Sequence, residues 1–253
     1  MFQSDNDSLL ISSESYVLRR ERYNYNSTDC SFEIIQTGEL ANTGSFTGIF
    51  GREVPTYCPN GIILRKFENI VQEVFKDCHS ALSNSELTSK HISNLKHVAS
   101  AIIYWKMASQ GGRSKIKAAN LLERWDANTA NQLLEAYEKK DLALFRIGGV
   151  RIPTATTFMR FLYPDEFGIM DSRVVGTYTQ PNNLTTLSLR NDGYIIDTKK
   201  NIEKYYSEYM RFLLHEKHQL DDLETKFTDF DENGNKITTS FRVCDVEMAL
   251  SGL

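Results

Sequence analysis

The stretch at residues 146–174, "RIGGVRIPTATTFMRFLYPDEFGIMDSRV", decides how this chain is read. It opens on a glycine pair, Gly148-Gly149, followed by a run whose apolar positions suit a helix, with Pro153 near its start, where the missing N–H costs little. Tyr163-Pro164 then turns the chain, which arrives at Asp171 after Ile169 and Met170 and just before Ser172-Arg173-Val174. A tight glycine turn between helices bares backbone N–H groups at the start of the second helix, and those groups suit a phosphate. The same residues also fit a plain helix–turn–helix buried in a core. Asp171 likewise has two readings. It fits the N-cap of a helix starting at Ser172, or a carboxylate at the mouth of an apolar cleft, and capping would serve the second role by fixing its position.

Working outward, helical periodicity dominates. Residues 66–78 carry Phe67, Ile70, Val71 and Phe75 on one face, and "SKHISNLKHVASAIIYWKMAS" continues the pattern to Ser109. "SKIKAANLLERW" and "NTANQLLEAYEKKD" predict two more helices, and "DLALFRI" a short one that stops at the glycine pair. "TKKNIEKYYSEYMRFLLHEKHQL" reads as a long amphipathic helix, "DFDENGNKIT" as a loop, and "FRVCDVEMALSG" as a last helix. Residues 15–65 read as β or irregular, with "SFEIIQTG" and "GSFTGIFG" as short β-prone runs. The expected fold is mainly α. It comprises an N-terminal extension over residues 1–60, partly β or irregular, and a helical domain over residues 61–253.

Composition narrows the function classes. No apolar run approaches a membrane span. The opening "MFQSDNDSLLISSES" lacks the basic flank and apolar core of a signal peptide, so a soluble, cytoplasmic monomer is expected. Cys30, Cys58, Cys78 and Cys244 are scattered and form no C-x-x-C pair, which argues against structural zinc or a cysteine-held iron–sulfur cluster. The net charge of -4 argues against a protein that coats polyanions. Residues 101–175, however, hold 11 Lys and Arg against 8 Asp and Glu, a locally basic stretch compatible with nucleic acid.

"LFRIGGVRIPTATTF" followed by "FGIMDSRV" resembles the helix-hairpin-helix DNA glycosylase superfamily. There a leucine-x-glycine-valine-glycine hairpin opens a helix, and an aspartate follows downstream after two apolar residues. Here Asp171 stands 22 residues after Gly149. The resemblance is best over residues 141–178, with the hairpin at 141–162. "IIYWKM" at 102–107 and the terminal "DVEMAL" also look like less-studied members, while residues 1–60 match nothing in the family.

The resemblance implies a glycosylase-like helical fold, double-stranded DNA carrying a modified base as partner, and Asp171 as the catalytic carboxylate. It implies DNA contacts at Gly148, Gly149, Val150, Arg151 and Arg173. Arg113, Lys115 and Lys117, with Lys106, form a basic loop that could track the backbone or reach the gap left by a flipped base. Tyr104, Trp105 and Trp125 are the candidates for stacking on that base, with core packing as the alternative for each. No metal or cofactor is implied, beyond the option of a monovalent cation at the hairpin.

Two departures shape the expected chemistry. Bifunctional members carry a lysine in the helix after the hairpin, where this chain has Pro153, and no lysine lies between Lys140 and Lys199. Schiff-base chemistry from that helix is excluded, so a monofunctional enzyme that uses water and leaves an abasic site is expected. The hairpin's second glycine is Arg151. For the substrate, the reading leans to alpha-glucosyl-hydroxymethylcytosine in phage DNA, an anti-phage defence role. Base-excision repair of oxidised or alkylated bases is the alternative, and a non-catalytic helix-hairpin-helix DNA-binding module is the reading from another class.

Overall fold

The computed structural model describes residues 9–26, 62–107, 124–231, 233 and 235–251. The described chain is mainly helical. In order it forms α1 (Ser13–Asn26), α2 (Ile62–Ser83), α3 (Ser89–Met107), α4 (Ala127–Lys139), a 3-10 turn (Ile147–Gly149), α5 (Ile152–Leu162) and α6 (Ser172–Val174). A π-helical turn follows (Val175–Thr179), then α7 (Lys199–Lys204), a second π turn (Tyr205–Tyr209) and α8 (Met210–Asp222). The strands β1 (Lys226–Phe230) and β2 (Lys236–Ser240) precede the last helix, α9 (Val243–Ser251).

The helix that follows the glycine pair, α5, is the axis of the core. Ile152 and every residue from Thr154 to Leu162 are buried, and α2 and α3 pack against it. Phe161 meets Phe67 of α2 and Trp105 of α3 at ring-centroid distances of 4.7 and 5.0 Å. A helix buried all round must find partners for its polar side chains. Thr156 and Thr157 therefore donate to Pro153 O, and the Arg160 guanidinium lies 2.6 Å from Glu68 Oε1.

Three elements differ from the sequence expectation. Residues 13–26, expected as β or irregular, are the helix α1, packed on α9 and β1. Its anchors are Tyr16 and Arg20, one turn apart and both fully buried, so the face that enters the core carries a phenol and a guanidinium instead of aliphatic side chains. An apolar periodicity test misses such a face. The runs "SFEIIQTG" and "GSFTGIFG" lie outside the described residues, as does "SKIKAANLLE" at 114–123. Secondly, "DFDENGNKIT", expected as a loop, holds the end of β1 and the start of β2, an antiparallel pair with Phe227 opposite Thr239 and Asp229 opposite Ile237. Phe227 and Asp229 point inward while Lys226 and Thr228 face out, the period of two that a strand requires. A buried aspartate inside that alternation hides the strand signal. "DLALFRI", expected as a short helix, forms turns that lead into the 3-10 hairpin.

The inward charges form one clasp. Arg20 Nε lies 2.7 Å from Asp245 Oδ1 and its Nη2 3.3 Å from Asp229 Oδ2. Arg65 reaches the same Asp229 at 2.7 Å, and Arg242 joins Asp245 to Glu68 at 2.8 and 2.7 Å. Burial pushes the Asp245 carboxyl up, but Arg242 and Arg20 outweigh it and hold the group well below the usual carboxylate range. The clasp joins α1, α2, β1 and α9, and through Glu68 it reaches Arg160 of α5.

Candidate functional site

Asp171 ends an extended segment fixed along its length. Two buried tyrosines of the π turn hold it from one side. Tyr205 Oη donates to Gly168 O at 2.8 Å and Tyr209 Oη to Ile169 O at 2.9 Å. Burial raises both phenols well above their ordinary pKa, so they stay neutral donors. From α5, Thr156 Oγ1 accepts Met170 N–H at 3.0 Å. Gly168 has no room for a side chain, because a Cβ there would stand 2.5 Å from Leu213 Cδ1 and 3.0 Å from Glu247 Cβ.

The Asp171 side chain caps α6, Oδ1 accepting Arg173 N–H at 2.8 Å, so the capping role is present. The rest of its environment exceeds what a cap needs. Arg173 Nε lies 3.1 Å from Oδ1, and Lys106 Nζ, from the last turn of α3, lies 3.2 Å from Oδ2. Asp171 is buried, 8% exposed. Burial pushes its carboxyl up, but Lys106 and Arg173 outweigh it and hold it well below the usual carboxylate range. The result is an ionised carboxylate with a fixed direction in a place poor in water. A second acid, Glu247 of α9, packs against Gly168 and is 2% exposed. Burial dominates there, and with the charge of Asp171 it pushes the Glu247 carboxyl up to about 8, despite Lys106, Arg160 and Arg173. Their surroundings thus push the proton affinities of the two acids in opposite directions.

Gly148 and Gly149 form a tight turn ahead of α5, but the segment before them is turns and not the expected helix. Gly148 and Gly149 adopt positive φ, 54° and 81°, and are exposed, whereas Ile147 and Val150 are buried. Val150 N–H donates back to Ile147 O at 2.8 Å, closing the turn. Arg151 is exposed and occupies the N-cap of α5 with no capping bond from its side chain. Glycine at 149 is demanded by conformation, since an added Cβ would meet nothing within 4 Å. The hairpin and Asp171 are joined through α5: its first residues leave the turn, and Thr156 holds the segment that ends on the aspartate.

Other expected positions fare differently. Trp105 is corrected from base pocket to core: it is 8% exposed, its ring set edge-to-face on Phe161. Trp125 is half-buried against the core. The side chain of Tyr104 lies outside the described residues, as do Arg113, Lys115 and Lys117. Lys106, grouped with those loop cations in sequence, belongs to Asp171 instead. That pairing spans 65 positions and leaves no trace in spacing. Glu247 was missed altogether. A cleft of about 620 Å³ lies elsewhere, lined by Arg65, Gln72, Lys217, Thr239 and Arg242 among others, and Asp171 does not line it. Among the described residues, no cluster suited to a metal ion is present, and no helix is long and apolar enough to cross a membrane.

No family model, curated protein or solved structure matches this chain.

Proposed function

We propose that this chain is a monofunctional DNA glycosylase of helix-hairpin-helix type, which hydrolyses the N-glycosidic bond of a modified base and leaves an abasic site. The observation that carries this reading is Asp171: a buried carboxylate held ionised by Lys106 and Arg173, on a segment braced by Tyr205, Tyr209 and Thr156. Breaking the bond from base to deoxyribose C1′ builds positive charge on the sugar. A fixed carboxylate beside C1′ stabilises that charge and can orient or deprotonate the attacking water. Structural capping alone calls for neither the burial nor the second cation. The exposed amides of Gly148 and Gly149 suit a phosphate of the same strand, which positions the duplex without reading its sequence.

The substrate proposed is alpha-glucosyl-hydroxymethylcytosine of phage DNA. It rests on the resemblance and on the absence of the hairpin lysine and the clustered cysteines that mark other branches. The test is to incubate the protein with genomes carrying glucosylated hydroxymethylcytosine, plain hydroxymethylcytosine or unmodified cytosine, and with duplexes carrying oxidised or alkylated bases, and to count abasic sites. Asp171→Asn is expected to lower release by at least about 100-fold while DNA binding stays within a few-fold. Release by the variant at the wild-type rate removes Asp171 from the chemistry. Release confined to the oxidised or alkylated duplexes replaces defence by repair.

A further inference from the structure

The pair of strands β1 and β2 has one covered edge and one open edge. Asp231 N–H donates to Asn235 O at 3.0 Å, which carries the ladder one step past Phe230–Lys236. Bonded and non-bonded pairs alternate along an antiparallel ladder, so Asp229–Ile237 and Phe227–Thr239 exchange bonds. The N–H and C=O groups of Thr228 on β1, and of Lys236, Thr238 and Ser240 on β2, then point away from the partner strand. On the β1 side α1 packs against the edge, and Glu21 Oε1 accepts the Thr228 N–H at 2.8 Å. On the β2 side no described residue accepts from the N–H of Lys236, Thr238 or Ser240, and all three residues are exposed. The cleft of about 620 Å³ adjoins this strand, lined by Ile237 and Thr239 of β2, Arg65 of α2, Asp165 and Lys217 among others. Its cations are committed: Arg65 to Asp229, Arg242 to Glu68 and Asp245, and Lys217 to Asp221. Asp165 is exposed, and its carboxylate has no ion pair or hydrogen bond among the described residues. Arg65 Nη2 is buried without a hydrogen-bond partner.

We propose that the open edge of β2 takes an extended peptide of a partner protein as a third strand, and that the adjoining cleft receives a lysine or arginine side chain from it. A peptide laid along that edge exchanges main-chain bonds with Lys236, Thr238 and Ser240. Every second side chain then falls on the face that carries Ile237 and Thr239, which is the face that lines the cleft. Charge decides the occupant. With the lining cations matched and Asp165 unmatched, the cleft offers its spare charge to a basic side chain. The peptide also brings carbonyl acceptors, which Arg65 Nη2 lacks within the described chain. A second copy fits less well, because β2 is 5 residues long, and pairing over so short a strand falls well below the roughly 1,200 Å² of a stable interface. Nothing in this inference draws on the glycosylase reading.

The test uses the full chain and a labelled, end-blocked peptide of about seven residues, long enough for one strand, in which threonine and lysine alternate. A second peptide carries glutamate in place of lysine. Fluorescence anisotropy at roughly 0.15 M salt, where loose surface attraction is screened, should show saturable binding of the lysine peptide only. Hydrogen exchange followed by NMR should slow at least about tenfold at the amides of Lys236, Thr238 and Ser240 when it binds. Thr238→Pro deletes an outward N–H that the ladder to β1 does not use, so the pair of strands survives, and binding should weaken at least about tenfold. Asp165→Lys alters an exposed side chain without partners and should turn the preference toward the glutamate peptide. Equal binding of the two peptides, unchanged binding in either variant, or unprotected amides at the three positions overturns the proposal. Dimerisation that rises with concentration and is lost in Thr238→Pro gives the edge to a second copy and overturns it as well. If Thr238→Pro unfolds the strands, Asp165→Lys and the three amides decide the outcome.

Discussion

Arg20→Met tests whether α1 is clamped into the fold by charge. Arg20 is fully buried, gives Nε to Asp245 at 2.7 Å and Nη2 to Asp229 at 3.3 Å, and stacks its guanidinium 4.7 Å above the Phe227 ring. Methionine keeps much of the stem's packing and removes the charge. Breaking a buried pair by deleting one partner costs about 3–5 kcal/mol, because the other charge stays buried. Here each acid retains a second arginine, Asp229 through Arg65 and Asp245 through Arg242, so the low end applies, about 3 kcal/mol. For a chain of this size that corresponds to a fall in Tm of roughly 6–12 °C. The acid side should suffer further. Asp245 ionises well below its ordinary value, so its contribution is present above the unfolded pKa and is lost as pH falls through the folded one. Removing Arg20 raises that folded value and starts acid unfolding at higher pH. Urea titrations at pH 7 and at steps from pH 4 down to pH 2 measure both effects, and proteolysis within α1 should accelerate. A loss under about 1 kcal/mol at pH 7 would mean that desolvation of the clasp cancels its attraction, and the account of α1 as a charge-anchored helix would be wrong.

Three further outcomes are expected. Gly149→Val puts a β-branched residue at a φ of 81° with open space around it; it should cost about 1–3 kcal/mol of backbone strain and weaken binding to all duplexes alike, and a folded variant that binds normally makes the hairpin structural only. Borohydride trapping should give no covalent protein–DNA adduct, since the hairpin helix has no lysine and Lys106 is engaged by Asp171; an adduct that disappears in Lys106→Met would make that amine a nucleophile and refute hydrolysis by water alone. Glu247 keeps its proton in the folded chain up to about pH 8 but releases it near 4.5 when unfolded, so wild-type stability should decline as pH rises through that window, and Glu247→Gln should flatten the decline; parallel stability–pH curves for the two proteins would refute the assignment.

How far the fold could be read in advance depended on what each element buries. α2, α3 and α4 bury aliphatic and aromatic stripes, and periodicity finds them. α1 buries Tyr16 and Arg20, and β1 buries Phe227 beside Asp229. In both, a charge sits where the pattern expects an apolar side chain. Each charge is met from elements distant in sequence, Arg20 by Asp245 and Asp229, and Asp229 by Arg20 and Arg65. A one-dimensional pattern registers the polar residue and cannot register its partner, so it reports loop where there is helix or strand.

The same asymmetry governs the site. Asp171 was legible because its signals are local: a glycine turn, a helix start, two apolar residues and a capping position within one short stretch. For Trp105 the sequence left both readings open, since a tryptophan's sequence neighbours do not say whether its ring faces a pocket or, as here, Phe161. Lys106 and Glu247 were hidden because they approach Asp171 from α3 and α9, on opposite sides of it in sequence. Yet they determine what Asp171 is. A capping aspartate in solvent accepts its backbone N–H and is otherwise ordinary. Enclosed by burial and paired with Lys106 at 3.2 Å, the same cap becomes a carboxylate whose direction is set before any ligand arrives. Preorganised charge of that kind stabilises a developing cation without reorganising during the reaction. In the proposed function, Asp171 would act through a setting that Lys106 supplies from a distant element, which the sequence conceals.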